Sequence, residues 1–363
     1  IIEKKINEDI LSLLNKGDFI LGEKVLELES KLASYVGVKE CITCASGTDA
    51  LLIPLMAYNV GQGDAIFTTN FSFFATTEVI SNIGATPIFV DIDEKTFNIS
   101  PELLENKIRE TIEKKELTPR AIIAVDLFGQ LADYNKIEKI AKKYNLKLIE
   151  DAAQSFGASF NNRKACSYGD IGATSFFPAK PLGCYGDGGA IFTNDTNIAD
   201  ICRSIRVHGQ GNDKYDNIRF GLNSRLDTIQ AIVLLNKLEI FDSEIIKRND
   251  IATKYNNLIN TSLITPYITK GNISSWAQYS LLCNNNEQRD GLTKDLNQNG
   301  IPTAIYYNKP FHKLDLYKNL SNDSYPVSNN HSSCIFSIPM HPYIEDTEVR
   351  EITELIINYI NND

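Results

Sequence analysis

Residues 175–190 read SFFPAKPLGCYGDGGA and place one lysine, Lys180, between two prolines, after a hydrophobic run and before a cluster of glycines. Lysine is an unusual residue where a chain leaves a buried strand. Three roles are open to Lys180 at this point: a solvated surface charge, a phosphate ligand or a covalent catalyst. A lysine with a lowered pKa is a nucleophile toward carbonyl groups, which is the chemistry of Schiff bases.

The composition limits the class of protein. The chain has 363 residues, 43% of them hydrophobic, which is enough for a large core and about two domains. Its net charge of −10 argues against a nucleic-acid partner and against an anionic membrane surface. No hydrophobic run approaches the ~18 residues that span a bilayer. The first residues, IIEKKINEDILSLLNKG, predict an amphipathic helix and not a secretory signal.

The cysteines and histidines argue against a metal centre. Seven cysteines, an odd number, are scattered along the chain, which favours reduced thiols and a cytoplasmic location. Cys41 and Cys44 have CxxC spacing, but no second CxxC and no histidine pair accompany them. The four histidines show no ligand spacing either, so we expect no metal and disfavour a metal-dependent hydrolase: His208, His312, His331 and His341.

The hydrophobic pattern predicts an α/β fold. Short hydrophobic runs alternate with helix-period stretches, which is typical of a mostly parallel sheet that lies between helices. From residue 224 to 259 the pattern becomes one long helical stretch. We therefore predict a large α/β domain over residues 1–235 and a smaller C-terminal α+β domain over 236–363. The predicted strands of the large domain are 65–69, 86–92, 121–128, 146–152, 172–177 and 189–194, and helices are predicted at 101–115 and 134–145.

Polar residues stand where several of these strands end, which is where parallel sheets bind ligands. In CASGTDALL (44–52) a strand ends and a helix begins at Gly47 and Thr48. Free N–H groups, the helix dipole and the Thr48 hydroxyl together suit a phosphate group. The alternative is an ordinary N-cap made by Ser46 or Thr48.

Asp151 ends another hydrophobic strand, in LKLIEDAAQSFG (146–157). A carboxylate there is costly unless it pairs with a cation such as a protonated heterocycle nitrogen, although it could also cap the following turn. Gln154 could reach the same ligand. A phosphate site, an aspartate and then a lysine after Ser175 match what pyridoxal phosphate requires. GDGGA lacks the GxGxxG spacing of a dinucleotide site, and no GxxxxGK[ST] loop is present.

In chain order, SGTDAL, EDAAQSFGA, SFFPAKPLGCYGDGGA, RVHGQG and GLNSRLDTIQAI closely resemble the DegT/DnrJ-type sugar aminotransferases. The resemblance covers nearly the whole chain. It implies a fold-type I enzyme that uses pyridoxal 5'-phosphate to aminate keto sugars attached to nucleotides. Within the family, PLGCYGDGGAIFTND and NSRLDT are most similar to the aminotransferases for UDP-linked 2-acetamido-2-deoxy-3-oxo-glucuronate.

The resemblance implies roles for four residues at the cofactor ring. Lys180 would form the Schiff base with the cofactor and, when free, move the proton between the cofactor and the sugar carbon. Asp151 would keep the pyridine nitrogen protonated, and Gln154 would hydrogen-bond the phenolic oxygen. Phe73, in NFSFFATTE, would stack on the pyridine face, although its sequence context is explained more simply by a place in the core.

The resemblance also implies a homodimer with shared active sites. Gly47, Thr48 and Ser175 would bind the phosphate together with Asn223 of the neighbouring subunit. L-glutamate would be the amino donor and leave as 2-oxoglutarate, with pyridoxamine 5'-phosphate as the other cofactor form. The product would serve the synthesis of a cell-surface polysaccharide such as the O-antigen of lipopolysaccharide. The implied sugar-binding residues are Phe19, Arg225, Tyr306 and Tyr307.

Three positions depart from the uronate-type pattern. The close relatives have Tyr where this chain has Phe19, Ser where it has Ala179 and His where it has Tyr306, whereas Arg225 and Tyr307 match. A 4-keto-6-deoxy or 3-keto-6-deoxy sugar therefore stays open as the substrate. Family members that deoxygenate sugars replace the lysine with histidine, so Lys180 argues against that reaction. A regulator without activity would need a DNA-binding segment or a degraded site, and the sequence shows neither.

Overall fold

The computed structural model describes residues 2–213, 215–259, 263–320 and 323–362. The helices are α1 (Ile2–Lys16), α2 (Glu23–Val36), α3 (Gly47–Ala57), α4 (Ala75–Asn82), α5 (Pro101–Lys114), α6 (Tyr134–Lys143), α7 (Thr196–Arg206), α8 (Thr228–Ile259), α9 (Asn286–Gln298), α10 (Pro326–Cys334) and α11 (Asp346–Asn362). The strands are β1 (Glu40–Cys44), β2 (Asp64–Thr69), β3 (Thr86–Val90), β4 (Thr118–Val125), β5 (Lys147–Asp151), β6 (Ser159–Phe160), β7 (Arg163–Lys164), β8 (Ile171–Ser175), β9 (Gly189–Thr193), β10 (Asn272–Ile273), β11 (Tyr279–Leu282) and β12 (Ile335–Ile338).

The central sheet has seven strands in the order β1-β9-β8-β5-β4-β2-β3. Its strands from β8 to β3 pair in parallel, whereas β9 is antiparallel to both of its neighbours. The predicted mostly parallel sheet is thus confirmed. Because β2, β4, β5 and β8 run in the same direction, their carboxyl ends meet at one edge of the sheet.

Both faces of this sheet are buried, as its continuous hydrophobic strands require. Along β5, Leu148 faces a core built with α2, α5, α6 and α8, and Ile149 faces a second core built with α3, α4 and α7. Ile122 and Ile123 of β4 divide between the two cores in the same way. Successive residues of a strand point to opposite faces, so one strand contributes to both layers.

The C-terminal part of the chain has its own core. The antiparallel pair β11–β12 packs with α9, α11 and the second half of α8. Helix α8 passes through the predicted boundary at residue 235, since Phe241 and Ile245 still lie in the core of the large domain and Ile251 lies in the C-terminal core. The division into domains 1–235 and 236–363 stays a prediction.

After residue 304 the chain returns to the central sheet. Phe311 and Tyr317 are buried against Phe89 of β3, with ring centroids 5.6 and 5.3 Å away. This return brings the C-terminal segment to the edge where the parallel strands end. In the described part of the chain, no helix combines the length and apolar character that crossing a membrane requires.

Candidate active site

Asp151 is the last residue of β5 and is almost fully buried. Its Oδ2 accepts a hydrogen bond from Thr76 Oγ1 (2.8 Å), and its Oδ1 accepts one from the backbone N–H of Ala153 (3.2 Å). Burial raises the pKa of Asp151, and these two hydrogen bonds and the charge of Lys180 oppose the rise. The carboxylate therefore does cap the following turn, yet it keeps unused lone pairs that favour a cation.

Lys180 follows β8 in a turn closed by its own N–H, which donates to the Phe177 carbonyl (2.8 Å). The residue is half-buried, so it is not the solvated surface charge that its type suggests. Burial lowers the pKa of the Lys180 ammonium, and the nearby Asp151 carboxylate partly opposes this. A neutral amine is accordingly available at a lower pH than for an exposed lysine.

Gly47 and Ser175 close a small cup at the start of α3. A Cβ on Gly47 would lie 2.5 Å from Ser175 Cβ, so only glycine allows the helix to approach the end of β8 this closely. Ser46 does form the N-cap, because its side chain accepts from the N–H of Asp49 (3.1 Å). The first-turn N–H groups of Gly47 and Thr48 have no intrahelical acceptor and are donors for an anion.

The glycines of GDGGA let the backbone approach closely at this cup. Gly189 pairs with Cys44 on one side and with Ser175 on the other, and a Cβ on it would overlap the carbonyl oxygen of Ser46. The start of α3 therefore lies directly over β9. The glycine cluster provides close backbone approach and not a nucleotide-binding loop.

Gln154 joins the Asp151 turn to the C-terminal segment. Its Oε1 accepts from the N–H of Phe128 (2.8 Å), and its Nε2 donates to the Tyr307 hydroxyl (3.2 Å). The Tyr307 ring lies 6.3 Å from that of Phe73. Phe73 is 56% exposed, which contradicts the simpler interpretation that it belongs to the core. Tyr306 is half-buried, with its ring 5.8 Å from Tyr307.

Two of the remaining predicted residues lie on the segment before α8. Asn223 is exposed and Arg225 half-buried, on either side of the fully buried Ser224. Ser224 Oγ donates to Asp49 Oδ2 (2.6 Å) and accepts from the N–H of Ala45 (3.2 Å), which fixes the segment to the start of α3. The carbonyl of the exposed Phe19 accepts from the N–H of Thr228 (2.9 Å), so Phe19 lies beside this segment.

Sequence reasoning missed Thr76 and Ser224. Thr76 lies in α4, 75 residues before the carboxylate that it contacts. A signal was present for Thr76, since it stands three residues after Phe73 in the stretch that follows β2. Ser224 stands between two predicted site residues, but its contact with Asp49 depends on tertiary packing.

The residues at this edge fit pyridoxal phosphate. Burial raises the pKa of the Asp151 carboxyl, and among the described residues the charge of Lys180 opposes that rise. The cup of Gly47, Thr48 and Ser175 offers N–H and hydroxyl donors to a phosphate. The half-buried Lys180, with a lowered pKa, interacts with the Asp151 charge and follows Ser175 of the cup by five residues. The fold and this site together define a fold-type I aminotransferase.

Comparison with known proteins supports the assignment to the aminotransferases. The chain belongs to the DegT/DnrJ/EryC1/StrS aminotransferase family, whose profile matches residues 1–357. It is 45% identical over 360 residues to the UDP-2-acetamido-2-deoxy-3-oxo-D-glucuronate aminotransferase of Pseudomonas aeruginosa, which covers 98% of this chain and 96% of that protein.

Two solved structures show the same fold. The crystal structure of a family member from Brucella abortus matches with a TM-score of 0.96 and 48% identity, covering 99% of this chain and 96% of that one. NtdA from Bacillus subtilis, with bound cofactor PMP, matches with a TM-score of 0.90 and 28% identity, covering 99% and 82%. The predicted fold-type I class and the resemblance to the family are confirmed.

Proposed function

We propose that this aminotransferase moves the amino group of L-glutamate to C3 of UDP-2-acetamido-2-deoxy-3-oxo-glucuronate. The observation that carries the reaction class is the buried Asp151 at the end of β5 together with the half-buried Lys180 after β8. The extended similarity to the Pseudomonas aeruginosa enzyme supports the choice of sugar. The keto group at C3 is where the new amine is formed.

Each residue at the cup and at the sheet edge has one task. Gly47, Thr48 and Ser175 bind the cofactor's phosphate through N–H groups and hydroxyls. Asp151 holds the proton on the pyridine nitrogen, because a buried anion favours a cationic partner. When bound, pyridoxal phosphate supplies an electron sink for the carbon that loses a proton. Lys180 Nζ accepts that proton and returns it, a task that its lowered pKa suits.

We expect the sugar nucleotide to contact two groups of predicted substrate residues. Tyr306 and Tyr307 approach the site from the C-terminal segment, whereas Arg225 lies on the segment tied to α3 and Phe19, which precedes α2, lies beside that segment. The Arg225 guanidinium suits a C6 carboxylate, which it can bind through two hydrogen bonds. We assign Arg225 to the uronate group for this reason.

A comparison of three nucleotide sugars tests the assignment. Removing Arg225 should cost ~2–5 kcal/mol in binding of the 3-oxo-glucuronate, as for a buried charge pair that loses one partner. Arg225→Ala should change kcat/KM for 4-keto-6-deoxy and 3-keto-6-deoxy sugars far less, and Arg225→Lys should retain part of the uronate activity. A wild-type preference for either 6-deoxy sugar would refute the uronate assignment and place Phe19 against the methyl group.

We also propose a homodimer whose active sites are shared. Several large apolar side chains are exposed in the single chain on the loops that carry predicted site residues, among them Phe73, Phe177 and Ile218. Phe220, three residues before Asn223, is 94% exposed. Such a concentration of exposed apolar surface is typical of a protein–protein interface. Asn223 is exposed on the same segment. It completes the phosphate site of the partner subunit, and Arg225 contributes to that same partner site.

Mixing two inactive variants tests this sharing. Lys180→Ala chains supply intact Asn223 and Arg225, whereas chains with both Asn223→Ala and Arg225→Ala supply an intact Lys180. A heterodimer of the two has one complete site and one site that lacks all three side chains. We expect activity to return on mixing under conditions of subunit exchange. Verified heterodimers that stay inactive would contradict sharing across the interface.

The cellular setting follows from the cysteines and the product. All seven cysteines are buried and free, which is consistent with a reducing cytoplasm. A diamino uronate on UDP is an activated building block, so we propose that it enters a cell-surface polysaccharide such as a lipopolysaccharide O-antigen.

A further inference from the structure

Residues 304–312, here named the tyrosine bridge, connect the C-terminal core to the edge of the large sheet. At one end, Ala304 pairs with Ser337 of β12 through two backbone hydrogen bonds of 3.1 and 2.7 Å. At the other end, the N–H of Phe311 donates to the Asn70 carbonyl (2.9 Å). The bridge is therefore held at both ends, and Tyr306 and Tyr307 lie between them.

Both polar atoms of the Asn70 side chain contact the tyrosine bridge. It is fully buried directly after β2, and its own N–H donates to the Val90 carbonyl (2.8 Å), which fixes it to the sheet. Its Oδ1 accepts from the backbone N–H of His312 (3.1 Å), and His312 Nδ1 lies 2.8 Å from Nδ2 and 3.2 Å from Oδ1. Because the backbone N–H can only donate, it orients the amide so that Nδ2 faces the ring nitrogen.

The 2.8 Å contact is a hydrogen bond when His312 is neutral. Nδ1 is then the acceptor for Nδ2, the nearer of the two amide atoms, and the ring proton resides on Nε2. The ring packs against Tyr325, with centroids 4.7 Å apart. Burial lowers the pKa of His312, as does the charge of Lys313, whereas Asp91 and a hydrogen bond with Asn329 oppose the shift. The neutral form that the geometry needs is accordingly the one favoured at neutral pH.

The Asn70–His312 pair lies close in sequence to the aromatic residues that contact Tyr307. Asn70 immediately precedes Phe71, whose ring centroid lies 6.1 Å from that of Tyr307. Phe73 stands two residues after Phe71, and its ring centroid lies 6.3 Å from that of Tyr307. A buried Asn70 amide without its ring partner would hold an unsatisfied donor. Loss of the His312 ring nitrogen should therefore loosen the bridge and the placement of both tyrosines.

We propose that Asn70 and His312 form a latch that positions Tyr306 and Tyr307 for the nucleotide sugar. The inference rests on the proposed function, because it takes these tyrosines as sugar contacts. The half-reaction with L-glutamate depends on Lys180 and Asp151, which do not contact the latch. The two half-reactions should therefore respond differently when the latch is broken.

Two substitutions separate the hydrogen bond from packing. His312→Phe keeps a ring against Tyr325 and loses the acceptor, whereas His312→Asn places an amide oxygen where Nδ1 was. Half-reactions of the holoenzyme are followed by absorbance with L-glutamate and with UDP-linked 2-acetamido-3-amino-2,3-dideoxy-glucuronate, the stable product used in reverse. His312→Phe should raise the half-saturating concentration of the amino sugar about fivefold to tenfold, the size of one neutral hydrogen bond. The value for L-glutamate should change much less, because Gln154 meets Tyr307 but keeps its own hydrogen bond to the N–H of Phe128.

His312→Asn should restore binding of the amino sugar. Equal losses with both substrates, or no loss in His312→Phe, would overturn the latch. Hydrogen exchange of residues 304–310 in the holoenzyme gives a second result that needs no sugar: it should be faster in His312→Phe and normal in His312→Asn. If wild type reacts with L-glutamate and not with the amino sugar, the proposed substrate fails. Exchange then still decides the latch, and unchanged exchange in His312→Phe refutes it.

Discussion

Replacing Lys180 with alanine is expected to give a folded protein that cannot link its cofactor covalently and turns over at least about 10³-fold more slowly. The variant loses both the amine that attacks the carbonyl and the base that moves the proton, and positioned general bases alone contribute roughly 10²–10⁴-fold. The side chain is half-buried and makes no contact that defines the core, so the fold should persist. Circular dichroism and kcat measure the two effects.

Lys237 provides a matched control for this assignment. Burial lowers the pKa of Lys237 too, and its Nζ donates to the carbonyl of Gly183 (2.6 Å), in the same loop as Lys180. A lowered pKa alone would therefore not distinguish the two lysines. Borohydride reduction of the holoenzyme followed by peptide mapping should label Lys180, and Lys237→Ala should still be labelled there. A label on any other lysine would refute the assignment.

The fold could be predicted because its strands are buried on both faces. Such strands appear as continuous hydrophobic runs, so the run at 65–69 corresponds to β2 and the run at 189–194 to β9. The predicted strand 172–177 was too long, since β8 ends at Ser175 and Phe177 is already exposed in the loop. Hydrophobic character marked the strand, but it could not separate core residues from residues that line the site.

The order and direction of the strands in the sheet could not be predicted from the hydrophobic runs. Nothing in GAIFTN shows that β9 runs antiparallel to β8, because a run buried on both faces has the same pattern in either direction. The passage of α8 from one core to the other leaves no mark in the sequence for a similar reason. Helix α8 keeps one period from Thr228 to Ile259 while it passes from one core to the other.

The strand-end residues of the candidate site could be named from sequence, and their supports could not. Asp151 and Ser175 end neighbouring parallel strands, so their proximity follows from the sheet. Thr76 reaches Asp151 from 75 residues away, and His312 reaches Asn70 across 242 residues. Such contacts depend on how helices and loops pack on the sheet, and no local pattern encodes them.

Asp151→Asn is expected to keep the fold and bind the cofactor, yet lose about 10²–10⁴-fold in kcat/KM. The reason is that an amide cannot stabilise a protonated pyridine nitrogen, and losing one partner of a buried charge pair costs roughly 3–5 kcal/mol.

The cofactor-free Asp151→Asn variant should be at least as stable as wild type at neutral pH. Burial raises the pKa of Asp151, so the stability linked to its protonated form is lost as pH rises, and an amide avoids that loss.

Thr76→Val is a milder change at the same carboxylate, and it tests whether the pKa of Asp151 controls the pH dependence of activity. The Thr76 hydroxyl lowers the pKa of Asp151 by donating to the carboxylate, so its removal should raise that pKa. Activity that needs ionised Asp151 falls as pH decreases, and in Thr76→Val this fall should begin at a higher pH than in wild type. In Asp151→Asn the residual activity should no longer show it. A wild-type rate in Asp151→Asn, or an acid limb that Thr76→Val leaves in place, would mean that Asp151 only caps the turn before Gln154.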